Sequence, residues 1–68
     1  MQGWFKLYST KNYLEASIIK GKLEENNIHV IILNRQDSSY LVFGDIEIYV
    51  PMHLKDLALH VLNNALLN

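Results

Sequence analysis

Apolar and polar positions alternate at two different periods along the chain. Trp4 to Tyr8 (WFKLY) is aromatic and apolar with one lysine, the composition of a strand. It ends at the polar run Ser9-Thr10-Lys11-Asn12. Asn12, followed three residues later by Glu15, predicts a helix N-cap with a capping-box partner. Ala16, Ile19 and Leu23 then recur at helical spacing, flanked by Leu14 and Ile18. This predicts a helix running to about Asn26 and stopped by Asn26-Asn27. Gly21 lies inside it, at a cost of about 1 kcal/mol against alanine. It reads either as a tolerated surface glycine or as a close helix–sheet approach.

Ile28 to Asn34 (IHVIILN) is rich in β-branched residues and bounded by asparagine, so it predicts a second strand. Arg35 to Gly44 begins polar, turns apolar and ends at a glycine suited to a bend. The third strand begins somewhere between Tyr40 and Asp45. From Asp45 to Val50 (DIEIYV) the alternation is clean, with Ile46, Ile48 and Val50 on one face and Asp45, Glu47 and Tyr49 on the other. Pro51 cannot donate to a ladder and ends the strand. Leu54 to Leu67 is the second helix. Its apolar residues, Leu54, Leu57, Ala58, Leu59, Val61, Leu62, Ala65 and Leu66, cover about 200° of the wheel. His53, Asp56, His60, Asn63 and Asn64 form the opposite stripe. An arc this wide exceeds what one sheet face covers, so the first helix or another subunit must cover the rest.

The order β-α-β-β-α predicts an α+β fold: a truncated ferredoxin-like plait of residues 1–68, with a three-stranded sheet in order 1-3-2 and both helices on one face. The crossover rule, applied to the first helix, makes the first and third strands parallel neighbours, with the second antiparallel to the third. The missing last strand leaves Trp4 to Tyr8 as an open edge.

On that plan the sheet face away from the helices holds Trp4, Tyr8, Ile31, Leu33 and Tyr49, with Lys6, Glu47 and His29 among them. Phe5 and Leu7 point inward. Such a patch on a small domain marks an interface, unless the 35–44 loop covers it or the register is reversed. Aromatics on the first and third strands also suggest RNA stacking. The basic motif for that is absent, and Glu47 shares the face. The 35–44 loop offers Asp37, Ser38 and Tyr40, either as a self-capped turn or as a contact or modification site.

Composition narrows the chemistry. The chain has 68 residues, half of them hydrophobic, with six basic and seven acidic side chains and no cysteine. A domain of this size buries only about 60% of its unfolded surface. The absence of cysteine removes disulfides, thiolate zinc sites and a cysteine nucleophile. Basic residues scattered among acidic ones give no electrostatic reason to bind nucleic acid or an anionic membrane. Apolar runs such as Val30 to Leu33 are far short of the roughly 20 residues that span a bilayer. No signal peptide is visible, and the expectation is a complete, soluble, cytoplasmic domain. His53 and His60 stand about 10 Å apart along their helix, too far to share one metal ion. No phosphate-binding or hydrolase motif is present and no nucleophile–base pair assembles, so neither catalysis nor a cofactor is expected. A protein partner or a second copy is expected instead. The alternative is a sensor that binds a small ligand between the 35–44 loop and the sheet.

Three elements carry a family resemblance: Ala16-x-x-Ile19-x-Gly21-x-Leu23 with Ile28, the Asp37-Ser38-x-Tyr40 loop, and Gly44-x-Ile46-x-Ile48-x-Val50-Pro51. Together they resemble a family of small bacterial domains of unknown function, described as putative prokaryotic signal transducing proteins. The resemblance implies a fold like that of the PII-type nitrogen regulators, which are ferredoxin-like trimers. Those proteins use the loop between their second and third strands to touch partners. The 35–44 loop holds the corresponding place but is much shorter, and the nucleotide contacts are not recognisable. The resemblance therefore implies regulatory contact rather than nucleotide sensing.

Overall fold

The computed structural model describes residues 2–36 and 44–66. Its elements are β1 (Trp4–Thr10), α1 (Tyr13–Glu25), β2 (Ile31–Asn34), β3 (Ile46–Pro51), a single 3₁₀ turn at Met52–Leu54, and α2 (Lys55–Leu66). The order β-α-β-β-α is the one the pattern predicts. β3 is central, with β1 and β2 on its two sides. Ile46, Ile48 and Val50 of β3 are fully buried against Ala16, Ile19 and Leu23 of α1 and Ala58, Val61 and Leu62 of α2. One side of the sheet thus carries both helices. The arrangement is compatible with a ferredoxin-like plait, and among the described residues no fourth strand pairs with β1.

The expected strand directions need one correction. β1 is antiparallel to β3, not parallel, and β2 is antiparallel to β3 as well. The crossover helix α1 joins β1 to β2, so these two are the parallel pair. β3 turns back from β2 and inserts between them, as in a split β-α-β unit.

The boundaries follow from local chemistry. Asn12 caps α1, its Oδ1 accepting from the N–H groups of Leu14 at 2.9 Å and Glu15 at 3.3 Å. The reciprocal half of the expected capping box does not form. The Asn12 N–H donates to Thr10 Oγ1 at 3.0 Å, and Glu15 is engaged by Tyr8 instead. At the other end Asn27 adopts φ 61°. Its N–H reaches the Glu24 carbonyl at 3.0 Å, and that of Ile28 reaches Leu23 at 3.1 Å. This is a Schellman closure, sealed by the buried Leu23 and Ile28 side chains.

Pro51 explains why β2 is short. Arg35 N–H donates to Asp45 O, so Arg35, Leu33 and Ile31 carry the hydrogen bonds to β3. The next pair in that register sets His29 opposite Pro51, which has no N–H to give. The ladder stops at Ile31.

Candidate interaction face

The face opposite the helices is built in rows across the sheet. Trp4 lies opposite Pro51, and the Trp4 ring meets His29 with centroids 5.8 Å apart. Lys6, Tyr49 and Ile31 form the second row, and Ser9, Glu47 and Leu33 the third. Trp4, Ile31, Leu33 and Tyr49, four of the five expected face residues, are therefore together and half-buried.

Tyr8 is not with them. The register slips between Lys6 and Tyr8, where a β-bulge at Leu7 adds one residue to β1. Tyr8 then pairs with Ile48, on the helix side, and packs against the core. Its hydroxyl donates to Glu15 Oε1 of α1 at 3.1 Å. Partial burial, reinforced by Glu15, pushes the phenol pKa up. Phe5 and Leu7 point inward as expected, and the Lys55 ammonium sits 5.0 Å from the Phe5 ring centroid. Asp37, Ser38 and Tyr40 lie outside the described residues. His53, Asp56 and His60 are exposed, and among the described residues no cluster could hold a metal ion.

The centre of the face is Glu47, whose partners the pattern alone did not reveal. Its carboxylate accepts from Arg35 Nε at 2.8 Å, from the Tyr49 hydroxyl at 3.1 Å and from Lys6 Nζ at 3.3 Å. Its side chain is 14% exposed, whereas those of Arg35 and Lys6 are 60% and 51% exposed. The network thus presents two cations to solvent around one covered anion. The Arg35 hydrogen bond, followed by those from Tyr49 and Lys6, lowers the Glu47 pKa from 4.5 to about 2 against a smaller opposing effect of burial. Glu47 in turn holds the Arg35 guanidinium above its ordinary value. A depressed carboxylate stabilises the fold above its unfolded pKa, and that contribution is lost as pH falls through the folded pKa. Stability is therefore expected to decline between pH 4.5 and about 2, and Glu47→Gln should flatten that slope. Chemical denaturation at stepped pH checks this, and equal slopes in the two proteins would refute it.

The chain matches, over residues 4–66, the family described as putative prokaryotic signal transducing protein. The chain belongs to this family. The matched stretch starts at the first residue of β1 and ends at the last of α2, so the family pattern spans the whole sheet-and-helix unit. No curated protein and no solved structure matches the chain. The family description points to signalling and assigns no residue. Among the described residues no helix is long and apolar enough to cross a membrane.

Proposed function

We propose that this chain is a non-catalytic regulatory module of the bacterial cytoplasm that acts through protein–protein contact, with the outer sheet face as its contact surface. The observation that carries this is the contiguous half-buried set Trp4, Ile31, Leu33 and Tyr49, with the cations Lys6 and Arg35 beside it. Trp, Tyr and Arg are the side chains that anchor interfaces. The two cations against one carboxylate favour a partner that sets acidic groups around an apolar centre. The same surplus is too small, and Glu47 too central, for nucleic acid. The family description supports a signalling role.

Quantitative affinity capture from the native cytoplasm, with wild type, Trp4→Ala and Leu14→Ala, tests the reading. Leu14 lies on α1, away from the sheet face, and is exposed. A specific partner should be retained by wild type and Leu14→Ala, and its affinity should fall about thirtyfold in Trp4→Ala. Equal retention by all three proteins would remove the sheet face from the function.

A further inference from the structure

The two edges of the sheet differ. β1 is interrupted by its bulge at Leu7 and carries Lys6, two features that blunt an edge against pairing. β2 has neither. Ile31, Ile32 and Leu33 are uncharged, and the β2 register runs without a break. Since Ile31, Leu33 and Arg35 hydrogen-bond towards β3, the N–H and C=O of Ile32 point to the free side. No described residue pairs with them. Above this edge, Tyr13, Ser17, Lys20, Gly21 and Glu24 of α1 border a groove of about 360 Å³ whose floor is Ile32. Among the described residues this leaves a ledge where one more strand fits.

We propose that two copies of the chain join at this edge, about a two-fold axis at Ile32, so that the three strands of each form one continuous antiparallel sheet. Ile32 pairs with its own copy and exchanges two backbone hydrogen bonds with it. On the outer face Ile31 stands beside Leu33 of the copy, and Leu33 beside Ile31. The flank is compatible with its own image because its ion pair, Lys20 with Glu24 at 3.5 Å, leaves it without net charge. Stacking two outer faces is the less favourable way to self-associate, since each brings Lys6 and Arg35 against a single Glu47. Edge pairing also leaves the sheet face free and doubles it into one broad surface. The inference rests on reading the chain as a contact module, and adds that its first partner is itself.

Gly21→Arg separates the two ideas. A Cβ added at Gly21 meets nothing within 4 Å, so the backbone there has room for a side chain. Two such arginines, however, face each other across the proposed axis. Sedimentation of the intact protein from micromolar to millimolar concentration should show a dimer for wild type and for Trp4→Ala. For Gly21→Arg the dissociation constant should rise about tenfold or more. Amide exchange by NMR supplies the second measurement. The Ile32 amide should gain protection with concentration, while that of Leu33, already bonded within the chain, should not. A wild type that stays monomeric throughout, or an Ile32 amide indifferent to concentration, would overturn the edge pairing and leave the sheet-face reading standing. Dimer loss in Trp4→Ala with retention in Gly21→Arg would move self-association to the sheet face.

Discussion

Gly44→Ala is expected to lower the stability of the domain by about 2 kcal/mol or more, two costs acting together. Gly44 has φ +78°, a conformation that L side chains rarely adopt. That alone costs about 1–2 kcal/mol for a non-glycine residue. An added Cβ would also lie 2.5 Å from the Arg35 carbonyl oxygen and 3.1 Å from its carbon. Those are backbone atoms and cannot swing aside. Arg35 N–H is held by Asp45 O at 3.0 Å, so relief of the clash strains the last rung between β2 and β3. The same movement pulls the guanidinium away from Glu47 and exposes the anion at the centre of the face. Gly3 is the control. It has φ +82°, yet nothing lies within 4 Å of an added Cβ, so Gly3→Ala should cost only the conformational part. Urea unfolding of both variants checks the contrast. Equal losses would mean that the contact with Arg35 contributes nothing.

Some of this architecture is legible in the sequence and some is not, for reasons that particular residues make clear. The alternation of Ile46, Ile48 and Val50 with Glu47 and Tyr49 places every β3 side chain correctly, because a central strand with one buried face has no freedom of register. On the edge strand β2 the same alternation puts Ile31 and Leu33 on the outer face, opposite Tyr49 and Glu47. β1 fails at Leu7, where a single extra residue turns Tyr8 to the helices. Both residues are apolar or aromatic, so nothing in the pattern marks the slip. The reversal of β1 relative to β3 has a different origin: the crossover rule holds, but for the strands that α1 connects, and these are not neighbours. The wide apolar arc of α2 is a real excess, since Leu57, Leu59 and Leu66 remain 44%, 38% and 48% exposed after α1 has packed. Glu47 is placed on its face by alternation, whereas its partners are not. Arg35 lies beyond the end of β2 and reaches back, a contact that depends on the register between two strands and not on spacing within one.

Ile48→Ala is expected to be the most damaging single substitution, with a loss of about 4 kcal/mol. Ile48 is fully buried at the middle of the central strand, opposite Tyr8 on one side and Ile32 on the other. Removing its branched side chain opens a cavity below both helices, in a sheet whose neighbours are fixed on both sides and cannot collapse to fill it. A domain of 68 residues has only about 3–10 kcal/mol of stability in all, so this loss brings it close to unfolding. Leu33→Ala removes a side chain of the same size from β2. Leu33 is half-buried and faces away from the helices, so the expected loss is only about 1 kcal/mol. The difference between the two bears directly on function. Apolar side chains that stabilise the isolated chain are accounted for by its core, and those that contribute little remain available for a partner. If Leu33→Ala proves as costly as Ile48→Ala in the monomer, the outer face is already covered within the chain and cannot be the contact surface. If it costs little in the monomer but weakens assembly, the apolar excess of this sequence is an interface.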